Sequence, residues 1–219
     1  MKSYIIHLIR HGMTDANKKG SYAGITDYPV NEEGIAGLLE LNKKYSYPYA
    51  DVFYSSPLCR CTQTLDIIYD KPEIITIDGL RELNFGDWED KTAAELKDDS
   101  AFSEWMASGG LTATPNGESA EQFGKRVTTA FSEIVESMMR SKTFEAVIAA
   151  HGGTIMTILS AFGLPKANQL DWMCANGCGY SLRINMNMWL NSQVFEVYGK
   201  VPKGSDQKAD LDMFFSSST

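Results

Sequence analysis

The chain has 219 residues, of which 43% are hydrophobic, and its 28 acidic against 20 basic side chains give a formal net charge of -8. This apolar content supports a sizeable core and argues against wholesale disorder. The acidic balance argues against a broad nucleic-acid-binding surface, although positive charges that converge locally remain able to bind a small anion.

The first part of the chain alternates predicted strands with predicted helices. The elements are, in order, a strand over 4–9, a helix over 31–45, a strand over 50–56, a helix over 57–70 and a strand over 73–77. The first strand is an almost continuous apolar run, which is typical of a strand buried on both faces of a parallel sheet. Asn31 is the predicted N-cap of the first helix, and Pro57 is predicted in the first turn of the second.

The alternation then breaks at a mixed, acidic segment from about 80 to 116, which we interpret as a small helical lid inserted into the domain. It carries two short helical patterns, Thr92–Lys97 and Ala101–Ala107. The later elements are a capped helix over 119–139, a strand over 145–150, a helix over 152–163 and an antiparallel pair of strands within 179–187 and 193–199.

This order of elements predicts an α/β fold. Strands that alternate with helices form a three-layer α/β/α sandwich around a mostly parallel central sheet. The length fits a single domain over residues 1–200, and the tail over 201–219, polar at both ends, is assigned no structure. The final pair of strands could also pair across an interface in a homodimer.

Residues of unusual type lie directly after, or within a few residues of, the ends of four predicted strands. They are Arg10, His11, Arg60, Glu82, His151 and Gly152. In an open α/β sheet, ligands bind outside the carboxyl ends of the strands. We therefore expect these side chains to meet in one site at that edge.

The residue types in this set favour a phosphoryl group. Arg10 and Arg60 remain charged, and their planar forks fit carboxylate or phosphate. His11 and His151 beside them are poor metal ligands, because the arginines repel a divalent ion; nucleophile, acid and base remain as roles. Gly152 lets the backbone come close to a ligand, and the adjacent helix N-terminus offers free N–H donors.

The same residues resemble a known family. The triplet of Arg10, His11 and Gly12, continuing to Thr14 and Asn17, is similar to the signature of the histidine phosphatase superfamily, also called the phosphoglycerate mutase-like family. Further similar blocks follow in the family's order: "SSPLCRCTQT" at 55–64, "RELNFGDWE" at 81–89, "NGES" at 116–119 and "AHGG" at 150–153. Together they span about three-quarters of the chain.

The resemblance implies a role for each residue. His11 attacks phosphorus and becomes a transient phosphohistidine, while Arg10, Arg60 and His151 clamp the phosphoryl oxygens and Asn17 adds a hydrogen bond. Glu82 protonates the leaving oxygen and then activates water. No cofactor or metal is implied, and the partner is a small phosphorylated metabolite.

The composition of the lid distinguishes the mutases of this family from its phosphatases. Its mutases carry extra basic residues there, whereas here the segment 83–99 is mostly acidic and has Lys91 and Lys97 as its cations. The segment resembles the phosphatase branch, which includes broad-specificity phosphatases and α-ribazole phosphatase. We therefore favour a phosphomonoesterase, with a phosphoglycerate mutase and a non-catalytic regulator that binds a phosphate ligand as alternatives.

Several residues carry a second interpretation. Glu89 is a rival to Glu82 for the acid, although the "REL" context favours Glu82. Asn17 could instead cap the turn. Three lid aromatics, Phe85, Trp88 and Trp105, either pack together or line the leaving-group pocket.

The cysteines, the histidines and the N-terminal segment indicate whether the protein binds a metal, where in the cell it lies and whether it associates with a membrane. The four cysteines, Cys59, Cys61, Cys174 and Cys178, match no zinc or thioredoxin spacing, and the three histidines form no H-E-x-x-H. The N-terminal apolar stretch is too short for a membrane span and lacks a cleavage site. We expect reduced thiols, no metal, no membrane association and a cytoplasmic location.

Overall fold

A computed structural model describes residues 3–205. The tail predicted from residue 201 onward therefore lies, from residue 206, outside the described residues. Within residues 3–205, seven strands form one sheet: β1 (Tyr4–Arg10), β2 (Val52–Ser55), β3 (Ile74–Thr76), β4 (Glu145–Ala150), β5 (Gly163–Leu164), β6 (Gly179–Ile184) and β7 (Phe195–Val201). Their order across the sheet is β3-β2-β4-β1-β6-β7-β5.

Seven α-helices accompany the sheet in the part of the chain that the structure describes. They are α1 (Asp15–Lys19), α2 (Glu32–Lys44), α3 (Cys59–Tyr69), α4 (Ser100–Ala107), α5 (Ala120–Ser141), α6 (Gly152–Phe162) and α7 (Met186–Ser192), and short 3-10 helices span Asp78–Leu80, Gly86–Trp88 and Gln169–Trp172. Asn31 caps α2 by accepting from the Gly34 amide at 2.8 Å, as predicted. Ser119 and Gln122 form the predicted capping box of α5.

The sheet is mostly parallel, and helices cover both of its faces. β1 pairs with β4, and β2 with β3 and β4, all in parallel, while β6 runs antiparallel to β1 and β7. One core lies on the face covered by α5 and α6, around Ile6, Leu8 and Phe131. A second lies on the face of Ile9 and Val147, against Leu38 of α2 and Leu65 of α3. Alternate side chains of β1 therefore point to opposite cores, which explains its almost continuous apolar sequence.

The start of α3 differs from the prediction. Pro57 precedes the helix instead of lying in its first turn, because Leu58 is extended (φ -67°, ψ 135°) and the helix begins at Cys59. The Cys59 amide donates to the Asp27 carboxylate at 2.7 Å. A side chain distant in sequence thus supplies the cap, which a local pattern does not reveal.

The lid contains one of its two predicted helices. α4 matches the pattern at Ala101–Ala107, but Thr92–Lys97 forms turns. Thr92 and Glu95 do make reciprocal capping bonds, at 2.8 Å and 3.2 Å. The helix stops after this turn because Asp99 caps α4, accepting from the amides of Ala101 and Phe102.

The last two strands form the predicted antiparallel pair, but α7 connects them in place of a tight turn. β6 lies between β1 and β7, and β5 pairs with Phe195 and Glu196 of β7. Among residues 3–205, no helix is long and apolar enough to cross a membrane.

Candidate active site

The carboxyl ends of β1 and β4 bring two histidines together. His11 follows β1 and His151 follows β4, and their ring centroids are 5.2 Å apart. The parallel register that pairs Arg10 with Ala150 places these two residues side by side. Both are almost fully buried, with exposed fractions of 5% and 1%.

The His11 ring has a defined tautomer. Its Nδ1 lies 2.8 Å from the carbonyl oxygen of Gly12. Because a carbonyl can only accept, Nδ1 carries the proton and Nε2 keeps a free lone pair in the neutral ring. Burial lowers the pKa of His11 well below its ordinary value, and the charges of Arg60 and Arg10 lower it further. His11 is therefore neutral, with Nε2 available as a nucleophile.

Arg60, in the first turn of α3, is also almost fully buried. Its Nη1 donates to the Thr26 carbonyl at 2.8 Å and its Nη2 to the Gly24 carbonyl at 2.7 Å. Its Nε donates to Nδ1 of His151 at 3.2 Å. The helix turn thus aims this cation at the histidine pair and tethers it to the loop over 24–26.

Arg10 has an unsatisfied donor. Nη1 donates to the Cys174 carbonyl at 2.7 Å, whereas Nε is buried without a hydrogen-bond partner among the described residues. Nε lies 3.6 Å from the position that a Cβ on Gly152 would occupy. This N–H is therefore next to the N-terminus of α6, where free backbone amides and the helix dipole favour an anion.

His151 is held on both ring nitrogens. Because Nδ1 accepts from Arg60, the neutral ring carries its proton on Nε2, which lies 2.8 Å from the hydroxyl of Ser56. Burial lowers the pKa of His151 well below its ordinary value, and Arg60 adds to the effect. Cys61 packs against the same ring, with Sγ 3.5 Å from Nε2.

Glu82 reaches the site from the segment after β3. Its carboxylate accepts from the Leu83 amide at 3.0 Å and from the Gly153 amide, in the first turn of α6, at 2.8 Å. Burial raises the pKa of Glu82, whereas the two amides and the charges of Arg60 and Arg10 oppose that rise. A raised pKa suits a carboxyl that must hold a proton before donating it.

The rival carboxylate, Glu89, has a different task. It accepts hydrogen bonds from the backbone amides of Gly24, Ile25, Thr26 and Phe85 and from the Thr26 hydroxyl. These bonds fix the loop whose carbonyls hold Arg60. The structure therefore places the Glu82 carboxylate against the first turn of α6, which begins directly after His151, and uses Glu89 to order the loop.

Asn17 caps the turn after β1. Its Oδ1 accepts from the Thr14 amide at 3.1 Å, and the Thr14 hydroxyl accepts from the Asn17 amide at 3.3 Å. Asn176 joins this turn to the site, since its Nδ2 donates to the His11 carbonyl at 2.8 Å and lies 3.4 Å from Oδ1 of Asn17. The side-chain nitrogen of Asn17, Nδ2, takes no part in these bonds and is the group left to reach a ligand.

The two glycines beside the histidines differ in their surroundings. A Cβ on Gly12 would lie 2.7 Å from Leu38, so this glycine lets α2 pack closely. A Cβ on Gly152 would meet Arg10 at ordinary van der Waals distances. Of these positions and the adjacent Gly153, a side chain has least room at Gly153, where a Cβ would lie 2.5 Å from Oε1 of Glu82.

Sequence reasoning missed several supporting residues, namely Ser56, Thr64, Cys174 and Asn176. Ser56 and Thr64 lie within the "SSPLCRCTQT" block, so the block itself was the available signal. Thr64 accepts from the Gly12 amide at 2.8 Å and donates to the Arg60 carbonyl at 2.6 Å. Asn176 and the Cys174 carbonyl come from the loop before β6, where no pattern marks them.

The lid aromatics pack together. Trp88, Phe102 and Trp105 form a cluster with Tyr22 and Phe85. Trp88 is almost fully buried and donates from its indole to Asp99 at 3.2 Å. The packing interpretation is therefore met for Trp88. Within residues 3–205, no group of three or more His, Cys, Asp or Glu side chains is placed to hold a metal ion.

Comparison with known proteins gives a consistent result. The model of the histidine phosphatase superfamily (branch 1) matches residues 6–195. The adenosylcobalamin/alpha-ribazole phosphatase of Salmonella typhimurium is 27% identical over 183 residues, which are 81% of this chain and 89% of that protein. A 2,3-bisphosphoglycerate-dependent phosphoglycerate mutase of Rhizobium johnstonii is 32% identical over 172 residues, covering 69% of this chain and 76% of that protein.

A solved structure shares the fold. The crystal structure of the alpha-ribazole phosphatase from Shigella flexneri superposes with a TM-score of 0.74 at 24% sequence identity. The match covers 89% of this chain and 94% of that one.

Proposed function

The chain belongs to the histidine phosphatase superfamily (branch 1), and on that basis we propose that it is a phosphomonoesterase acting on a small phosphorylated metabolite. The observation that carries the proposal is the His11 ring, whose Nδ1 is bonded to the Gly12 carbonyl, so that Nε2 keeps its lone pair, and whose pKa is lowered by burial and by the charges of Arg60 and Arg10. A neutral imidazole among fixed cations suits attack on a phosphoryl group, whose negative charge the cations balance.

We assign the binding of the phosphoryl oxygens to Arg10, Arg60, His151, Asn17 and Gly152. The unpartnered Nε–H of Arg10 supports this assignment most directly. A buried donor without an acceptor costs about 1–3 kcal/mol, and a phosphoryl oxygen beside Gly152 would satisfy it. The side-chain Nδ2 of Asn17 and the N-terminal amides of α6 other than that of Gly153, which donates to Glu82, add further donors.

The proposed reaction has two steps. Nε2 of His11 attacks phosphorus, the P–N bond forms as the P–O bond to the leaving group breaks, and Glu82 gives its proton to the leaving oxygen. The Gly12 carbonyl then stabilises the cationic phosphohistidine through the Nδ1 proton. In the second step Glu82 takes a proton from water, the water oxygen attacks phosphorus, and the P–N bond breaks to return the lone pair to Nε2 and release inorganic phosphate.

The test is phosphate release from a panel of phosphomonoesters in the presence of EDTA. The panel includes phosphoserine, α-ribazole phosphate, 3-phosphoglycerate and a nucleoside monophosphate. We expect the unmodified protein to release phosphate from at least one ester, without a metal, and His11→Ala to release none. Loss of activity in EDTA that Mg²⁺ restores would contradict the proposed mechanism.

A phosphoglycerate mutase is the second candidate, because a mutase relative is 32% identical to this chain. The acidic lid favours the phosphatase, since its cations between residues 83 and 99 are Lys91 and Lys97. A mutase must hold a second anionic group of its substrate. Incubation with 3-phosphoglycerate separates the two, because isomerisation faster than phosphate release identifies a mutase.

We also propose that the protein acts in the cytoplasm, without nucleic acid or membrane, and forms a homodimer. The net charge of -8 supports the absence of a nucleic-acid partner. β5 pairs with β7 at Phe195 and Glu196, and residues 197–200, which follow along the same edge, support a contact with a second copy of the chain. Light scattering at several protein concentrations measures the oligomeric state.

A further inference from the structure

We propose that Arg126 and Glu118 are positioning residues for Glu82, because together they fix the backbone on both sides of it. The inference rests on the proposed function, in which Glu82 supplies and removes a proton. Neither residue hydrogen-bonds with His11, Arg10 or Arg60 in the part of the chain that the structure describes. Their effect on the reaction would pass through the position of the Glu82 carboxyl.

Arg126 and Glu118 form a two-pronged ion pair at the start of α5. Nε of Arg126 donates to Oε1 of Glu118 at 2.9 Å, and Nη2 donates to Oε2 at 2.7 Å. Both side chains are mostly buried, with exposed fractions of 26% and 21%. A paired fork of this kind fixes the orientation of the guanidinium as well as its charge.

The remaining donors of Arg126 bind the segment that carries Glu82. Nη1 donates to the carbonyls of Gly79 at 3.1 Å and Arg81 at 3.0 Å, and Nη2 donates to the Glu82 carbonyl at 3.2 Å. This segment has left the sheet, since β3 ends at Thr76. The Arg126 guanidinium thus binds three carbonyls within four residues and replaces the hydrogen bonds that a neighbouring strand would provide.

Glu118 fixes the other side of Glu82. Its Oε2 accepts from the Asn84 amide at 3.0 Å, and its own amide donates to the Asn84 carbonyl at 2.9 Å. The backbone is therefore held from Gly79 to Asn84, with Glu82 between the two sets of bonds. α5 also packs closely here, because a Cβ on Gly79 would lie 2.5 Å from the Cβ of Ala130.

These contacts leave the Glu82 carboxyl little freedom to move. Its Oε2 accepts from the Gly153 amide at 2.8 Å, and a Cβ at position 153 would lie 2.5 Å from Oε1, so a side chain there would displace the carboxyl. Proton transfer needs hydrogen-bond distance to the reacting oxygen, so a small shift of the segment reduces the rate. We therefore expect loss of the Arg126 fork to impair the proton-transfer role of Glu82 selectively.

The experiment uses the dependence of kcat/KM on the leaving group. Phenyl phosphate releases a phenol of pKa about 10 and needs protonation, whereas p-nitrophenyl phosphate releases a much more acidic phenol and needs it less. The variants are Arg126→Gln, Arg126→Lys and Glu118→Gln, with Glu82→Gln as the reference for a lost acid. Arg140→Gln is the matched control, because Arg140 lies on the same helix and pairs with the exposed Glu136.

We expect Arg126→Gln to lose about 10- to 100-fold in kcat/KM on phenyl phosphate, below the full 10²–10⁴-fold value of an acid. On p-nitrophenyl phosphate the loss should be about threefold or less. Glu118→Gln should show the same selectivity. Arg126→Lys keeps the positive charge and a donor for the carbonyls, so it should recover part of the rate. Arg140→Gln should match the unmodified protein on both esters.

An equal loss on both esters overturns the proposal, because it would indicate a general structural effect; no loss on either ester also overturns it. If Arg126→Gln does not fold, Arg126→Lys and Glu118→Gln test the proposal through the same comparison of the kcat/KM losses on the two esters. Inhibition by inorganic phosphate should be unchanged in the Arg126 and Glu118 variants, since the phosphate-binding residues are untouched. If Glu82→Gln itself shows no selectivity, the assignment of Glu82 under the proposed function fails instead.

Discussion

His151 accepts a hydrogen bond from Nε of Arg60 on Nδ1, at 3.2 Å, and so carries its own proton on Nε2. That proton faces the hydroxyl of Ser56 at 2.8 Å. The ring is thus held between a permanent cation and a hydroxyl, and it is neutral. Under the proposed function, a phosphoryl oxygen would meet an arginine and a histidine that are already hydrogen-bonded to each other.

We predict that Ser56→Ala weakens phosphate binding. Without the hydroxyl the His151 ring loses one of its two fixed contacts, and a neutral hydrogen bond is worth about 0.5–1.5 kcal/mol. The inhibition constant of inorganic phosphate should therefore rise about 2- to 10-fold. Ser55→Ala is the matched control, because Ser55 is equally buried and its hydroxyl donates to the Ser56 carbonyl, not to the ring. Equal effects of the two substitutions would remove Ser56 from the site.

We predict that His11 carries the covalent intermediate. Rapid quench with a ³²P-labelled ester should trap a label that is stable in base and labile in acid, as expected for a phosphoramidate. His11→Asn should abolish the label. His7→Asn should retain it, because His7 is buried against Ser181 and Glu145 and makes no contact with the phosphate-binding residues. A label that survives in His11→Asn would assign the nucleophile to another residue.

The pH dependence follows from two shifted groups. Glu82 must be protonated to act as an acid, so kcat/KM should fall as the pH rises through its raised pKa. His11 must be neutral to attack, and because its pKa is lowered, acid should inactivate it only well below the ordinary value for histidine. The optimum should therefore be acidic. The profile is measured from about pH 4 to about pH 8, which brackets ordinary glutamate and histidine.

Two outcomes of this profile are diagnostic. In Glu82→Gln the fall on the alkaline side should disappear, since the variant has no proton to lose there. An optimum above neutral pH in the unmodified protein would contradict the assignment of Glu82 as the acid.

The sequence predicted the strand ends and most of the side chains that meet there. Arg10, His11 and His151 were identifiable because they lie at the ends of predicted strands, and Arg60 and Glu82 because they follow the next two strands within a few residues. A strand end fixes position along the sheet edge, and the parallel register of β1 with β4 then fixes the distance between the histidines.

The sequence did not reveal which groups orient those side chains. The Gly12 and Cys174 carbonyls are backbone atoms that every residue has, so no residue type marks them. Asn176 reaches the His11 carbonyl across 165 positions of sequence. The Asp27 carboxylate replaces a local cap at Cys59 for the same reason, since distant contacts depend on the folded chain.

The two neighbouring glutamates of the "RELNFGDWE" block provide the last prediction. Glu82→Gln should reduce kcat/KM on phenyl phosphate about 10²–10⁴-fold. Its free energy of unfolding should change by about 1 kcal/mol or less, because one of two backbone bonds is lost while a buried charge is removed. Glu89→Gln should instead lower stability more than catalysis. Its side-chain amide nitrogen would face several of the four backbone N–H groups that now donate hydrogen bonds to the carboxylate.

For Glu89→Gln we expect the free energy of unfolding to fall by about 1–3 kcal/mol, measured by urea denaturation. Its KM should rise more than its kcat falls, because the loop over 24–26 holds Arg60 through the Gly24 and Thr26 carbonyls. The Glu82 acid would remain in place, so the preference for acidic leaving groups should match that of the unmodified protein. A kcat loss in Glu89→Gln as large as that in Glu82→Gln would show that both carboxylates take part in the chemistry.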